Sequence, residues 1–206
     1  MKNSKNKFAF IGILILWVSQ MTFAQEWQKV ELDSTSVIKV SLIEYQIQNA
    51  FDDVAKAGDS VGAIIAAGII PAGLEMMDGL AIAAVEDFVH AGYPLDAQAL
   101  LLCEVDGTAG EVAEALIRVE QILKSSGATL LRVAADETER ALFWQGRKNA
   151  FPAVGRISPD YYCMDGTIPR KHLAHVLTRM REMSEHYQLR CANVFHAGDG
   201  NLHPLI

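Results

Sequence analysis

The sequence predicts an α+β fold, a ferredoxin-like sandwich, and three observations carry that expectation. From residue 99 onward, apolar runs that read as strands alternate with stretches of helical periodicity. The candidate strands are short and the helices longer, which favours a small sandwich over a large doubly wound sheet. The last candidate strand runs into the C-terminal residues, so the sheet is expected to be truncated on that side.

Residues 25–49 are an unassigned linker or extension. Val37, Ile38, Lys39 and Val40 alternate weakly like a strand, whereas Asp33, Ser34, Thr35 and Ser36 read as a turn. A boundary is placed here, and 50–206 is read as one domain. Phe51, Val54, Ala55, Val61, Ile64 and Ile65 fall at helical spacing on either side of Gly58-Asp59. Two short helices fit, the second capped by Asp59 or Ser60. Pro71 and Gly73 interrupt the pattern and leave 74–77 as a short buried segment, followed by a helix over 80–89.

The alternation then begins. A strand is expected over 99–105, stopped by Asp106-Gly107, and a helix over 111–123 with a stripe at Val112, Leu116, Val119 and Leu123. A strand over 128–133 precedes a helix over 137–149 closed by Pro152. Residues 160–165 read as a strand, and 170–187 as a long helix opened by Pro169. The final strand, 190–195, runs into a glycine-rich loop.

Half of the 206 residues are apolar, enough for a sizeable core. The net charge of −7 argues against nucleic acid or anionic lipid as the main partner. Residues 1–24 differ in kind: Lys2, Lys5 and Lys7 precede an apolar run over 8–18, with small residues at Thr22 and Ala24. This pattern reads as a signal peptide cleaved after Ala24, the alternative being an uncleaved anchor. The run is short for a membrane span, which needs about 20 residues, so none is expected in the mature chain. Cys103, Cys163 and Cys191 form no CxxC pair and read as buried reduced thiols.

The sharpest chemical feature is the run His196-Ala197-Gly198-Asp199-Gly200-Asn201-Leu202-His203. Two imidazoles flank a tight turn, as in an open metal site completed by a third ligand and a substrate oxygen. Ordinary turn histidines show the same spacing. Arg147 and Lys148 lie near a helix end beside Phe143 and Trp144, as a clamp for a carboxylate or as solvated helix-end cations. His172 and His175 share a helix face without an evident third ligand and read as surface residues. Glu75 and Asp78 stand in an apolar stretch, where a buried carboxylate needs a partner.

Four runs carry a resemblance: GIIPAGLEMMD (68–78), EDFVHAGYP (86–94), FWQGRKNAFPAVGRISPDYYCMDGTIPR (143–170) and CANVFHAGDGNLHPLI (191–206). Together they resemble the C-terminal domain of FAD-linked oxidases of the glycolate oxidase D-subunit type, related to D-lactate and D-2-hydroxyglutarate dehydrogenases. On that resemblance 50–206 is part of a substrate domain that closes over the flavin of a separate domain. Arg147 then matches the arginine that grips the substrate carboxylate. His196 and His203 match ligands of a divalent metal such as zinc, and Asn201 between them orients a ligand or the substrate. The implied reaction is oxidation of a small 2-hydroxy acid, glycolate or D-lactate, to the 2-oxo acid by hydride transfer to FAD. Other glycolate oxidase subunits or an iron–sulfur acceptor are the implied partners.

The family's FAD domain, a further carboxylate ligand and a histidine base have no counterpart in these residues. Cys163 or a neighbour stands where some relatives place a lysine. The expectation is therefore a fragment that holds metal weakly and is inactive alone. The alternatives are a secreted non-enzymatic α+β module that binds metal or a partner, and association with a separate flavin-domain chain. The signal-like segment points to export, whereas the family works in the cytoplasm or at its membrane face.

Overall fold

The computed structural model describes residues 43–206 together with 30–31 and 37–38. The signal-like segment 1–24 lies outside the described residues. Val30–Glu31 (β1) and Val37–Ile38 (β2) pair as a two-stranded antiparallel ribbon. The rest builds one seven-stranded sheet in which every pairing is antiparallel.

The chain enters that sheet through Ile43–Phe51 (β3), which runs through the position where the sequence reading set a domain edge. Val54–Ala66 (α1) returns it to Gly73–Asp78 (β4), and Gly79–Val89 (α2) leads to Ala99–Gly107 (β5). Ala109–Ser125 (α3) connects to Leu130–Val133 (β6). The order β6-β3-β5-β4 is that of a ferredoxin-like unit, with α1 and α3 as its crossing helices. Glu137–Lys148 (α4), Ala150–Val154 (α5), Gly166–Thr167 (β7) and Leu173–Tyr187 (α6) follow, and a hairpin of Ala192–His196 (β8) and Asn201–Leu205 (β9) completes the domain. The hairpin and β7 extend the four-stranded unit to the order β6-β3-β5-β4-β8-β9-β7.

Helices cover both faces. One apolar cluster joins Ile47, Phe51, Leu74, Met76, Leu101, Cys103 and Phe195 to Val61, Ile64, Val119, Leu123, Leu173 and Leu177 of α1, α3 and α6. The other joins Ala50, Met77, Leu100, Leu102, Val194 and Leu205 to Ile82, Val85, Phe143, Ala150 and Val154 of α2, α4 and α5. The sheet is thus sandwiched on both sides rather than packed on one. For that reason Leu74 to Met77 are buried without a break: they form the inner strand β4, not an isolated segment.

Several local expectations are corrected. Residues 54–66 form one helix rather than two, capped by Asp53, whose side chain accepts from Ala55 N at 2.7 Å. Gly58 does not break it. A Cβ there would stand 2.8 Å from the Ala174 backbone, so the glycine is a notch where α1 meets α6. Pro152 does not close α4, because the helix ends at Lys148 with Asn149 as its cap, and Pro152 lies inside α5. Residues 160–165 form no regular strand; Cys163 bridges Leu205, and the paired edge is β7. The long helix begins at Leu173, after a 3-10 turn over Arg170–His172. Cys103 is buried as expected, but Cys191 is half-buried and Cys163 exposed. Among the described residues no helix is long and apolar enough to cross a membrane.

Candidate active site

The site is built on one row of the sheet. The β8–β9 register pairs His196 with Asn201 and Val194 with His203. Two residues along a strand return to the same face, so His196 and His203 are diagonal neighbours on one face of a hairpin. The expected glycine-rich loop is only the turn Ala197–Gly200; the strand resumes at Asn201. The turn is docked, with Gly198 N donating to Leu74 O at 2.9 Å and Arg170 Nη1 to Gly198 O at 3.0 Å. Ring centroids of the two histidines are 5.2 Å apart and nearly perpendicular.

On the inner side, Met76 pairs with Phe195, which sets Glu75 of β4 beside His196. Glu75 Oε1 lies 2.9 Å from His196 Nδ1, and Oε2 takes Arg147 Nε at 3.0 Å and Nη2 at 2.8 Å. The Glu75 and Arg147 side chains are 11% and 9% exposed, so each meets the other's charge away from water. His196 is 46% exposed, leaving its ring open to a ligand. His203 Nδ1 lies 3.1 Å from Val194 O and Nε2 3.7 Å from Asp165 Oδ1. A carbonyl only accepts, so the contact to Val194 is a hydrogen bond when the proton sits on His203 Nδ1. Asn201 Oδ1 is buried without a hydrogen-bond partner among the described residues.

The residues marked in the sequence therefore separate. Arg147, His196, His203 and Asn201 converge on one face, while Lys148 is exposed over the Trp144 ring at 5.7 Å. Arg147 is not solvated, and its partner is a carboxylate rather than the neighbouring aromatics. Trp144 Nε1 instead donates to Glu104. His172 and His175 are exposed. Glu75 is the member that sequence reasoning left unassigned. Its signal was present: a lone carboxylate inside Leu74-Glu75-Met76-Met77 has to be paired. Asp78 resolves differently, capping α2 through Ala81 N and accepting from Asn193 N and Nδ2. Desolvation pushes its carboxyl up to about 6 against those donors.

Two imidazoles whose Nδ1 atoms face Glu75 Oε1 and Val194 O are, as a donor type, compatible with an open metal site. Among the described residues there is no group of three or more His, Cys, Asp or Glu that could hold a metal ion.

Fold and cluster define a class: a ferredoxin-like α+β domain with an arginine–carboxylate–imidazole cluster on one sheet face. Residues 47–206 match the family described as FAD linked oxidases, C-terminal domain, and the chain belongs to that family. It is 66% identical over 157 residues to glycolate oxidase subunit GlcD of Escherichia coli (strain K12), covering 76% of this chain and 32% of that protein. The Bacillus subtilis (strain 168) protein of the same name is 34% identical over 154 residues, 75% of this chain and 33% of its own length. The mitochondrial D-lactate dehydrogenase [cytochrome] of Arabidopsis thaliana is 30% identical over 159 residues, 76% of this chain and 28% of that protein. The chain thus spans about a third of the length of the curated relatives it matches.

Solved structures share the fold. An alkyldihydroxyacetonephosphate synthase aligns with a TM-score of 0.55 at 17% identity, over 82% of this chain and 36% of that one. Substrate-bound p-cresol methylhydroxylase aligns with a TM-score of 0.57 at 12% identity, over 82% and 39%.

Proposed function

We propose that this chain supplies the substrate-binding wall of a FAD-linked oxidoreductase that converts a small 2-hydroxy acid, glycolate or D-lactate, to the 2-oxo acid. The observation that carries the reading is the convergence of Arg147, His196, His203 and Asn201 on one sheet face. Arg147 is the group for the substrate carboxylate. Glu75 occupies its Nε and Nη2, and Nη1 has no partner among the described residues. Asn201 Oδ1 is an acceptor that a substrate hydroxyl would complete. His196 and His203 would hold a divalent cation such as zinc through Nε2. That cation would supply Lewis acidity at the 2-hydroxyl, and FAD, carried by a separate domain as the family name implies, would accept the hydride. The sheet positions these groups and α4 brings in the guanidinium, so the acid is oriented by rigid elements. The names of the relatives support subunit partners for the full protein.

A chimera tests the reading. Residues 47–206 are placed in the corresponding stretch of the Escherichia coli relative, and glycolate-dependent dye reduction is measured. The chimera is expected to turn over, and Arg147→Met or His203→Ala in it to lower kcat/KM by about a hundredfold or more. An active chimera indifferent to both substitutions would overturn the assignment of the site.

A further inference from the structure

We infer that Glu75 is the positioning residue of this site, setting the tautomer of His196 with one oxygen and the guanidinium of Arg147 with the other. The inference rests on the metal-and-carboxylate reading proposed above and says how that site is held in shape. The contacts divide cleanly: Oε1 to His196 Nδ1 at 2.9 Å, Oε2 to Arg147 at 2.8 and 3.0 Å. A carboxylate facing Nδ1 keeps the proton there and the lone pair on Nε2, the nitrogen a cation needs. His203 reaches the same state through the Val194 carbonyl, a backbone group no substitution removes. Glu75 is therefore the side chain on which the matching of the two rings depends. It also ties a hairpin to a helix from a different part of the chain, so His196 and Arg147 are located relative to one atom group. A role limited to neutralising Arg147 would leave the ring of His196 indifferent to it.

The two roles separate by spectroscopy on the full chain. Long-range proton–nitrogen correlation reports which imidazole nitrogen carries the proton, with His196 assigned by a His196→Ala variant. The native chain is expected to hold His196 as Nδ1–H; finding Nε2–H there overturns the inference without any further variant. Arg147→Met keeps Glu75 and is expected to keep the tautomer. Glu75→Leu combined with Arg147→Met leaves no unpaired charge, so it folds on apolar packing, and His196 is expected to lose its Nδ1–H preference.

Zinc alone is then titrated against each. Affinity is expected to fall about tenfold or more from Arg147→Met to the double variant, the usual cost of removing a histidine's backing group. Glu75→Gln, with a single acceptor oxygen, is expected to restore part of it. Where the native chain binds zinc, equal affinity in Arg147→Met and the double variant overturns the inference. A native chain with His196 as Nδ1–H that binds no zinc overturns the metal reading and leaves the positioning by Glu75 supported.

Discussion

Arg147 and Glu75 are buried against each other, so neither can be removed without stranding the other's charge. Arg147→Met should cost about 3 kcal/mol of stability, read from urea unfolding, whereas the exposed Lys148→Met should change it by less than about 0.5 kcal/mol. Asp78 gives the chain a pH dependence of its own. Its carboxyl is raised by desolvation from 3.8 to about 6, so the folded state holds that proton more tightly than the unfolded chain does. Its contribution to stability is therefore greatest at low pH and declines as pH rises through that window, by about 3 kcal/mol in all. Asp78→Asn keeps an oxygen for Ala81 N and cannot ionise. The stability of the variant relative to the native chain should then rise between pH 4 and pH 7, and a difference constant with pH would contradict this.

At the scale of elements, the β8–β9 hairpin carries the candidate site, and its turn decides where the two rings stand. Gly200 has φ +72°, and a Cβ on it would collide with the Ile168 carbonyl oxygen, whose own amide donates to Gly200 O at 2.9 Å. Gly200→Ala should cost about 2 kcal/mol through backbone strain and this clash. It should also shift the His196 and His203 imidazole resonances, because the strands that carry them leave that turn. Gly58 acts on the opposite face, where its missing Cβ lets α1 approach α6 at Ala174. Hairpin and helix pair use glycine for different reasons, a positive φ in one and a close approach in the other.

Across the whole molecule, β5 is paired along its length to β3 and from Ala99 to Glu104 to β4, and lies under helices on both faces. β7 is a two-residue exposed edge. Hydrogen exchange should follow that gradient: the amides of Leu100 to Leu102 should exchange more than about a thousandfold slower than those of Gly166 and Thr167. Uniform exchange would mean that the hairpin and β7 unfold together with the ferredoxin-like unit. The added strands matter to the proposed function because they extend the ferredoxin-like unit by the row that carries His196, Asn201 and His203.

By itself the sequence determined the fold class and the family and marked Arg147, His196, His203 and Asn201 as candidates, because short motifs and local periodicity are written in neighbouring residues. It also contained the alternation of Ile43, Tyr45, Ile47 and Phe51 with Glu44, Gln46 and Gln48. That strand was hidden by composition: Gln46 and Gln48 are fully buried, so a polar residue there does not mark a solvent face. The strand at 74–77 was obscured the other way, since burial on both faces removes the period of two. Tertiary structure alone decided that the histidine turn is a hairpin, that Lys148 leaves the site, and that Glu75 joins it. The physical reason is distance along the chain. Glu75 meets Arg147 and His196 across separations of 72 and 121 residues, and only the register of β4 against β8 and the placement of α4 over that row bring the three together.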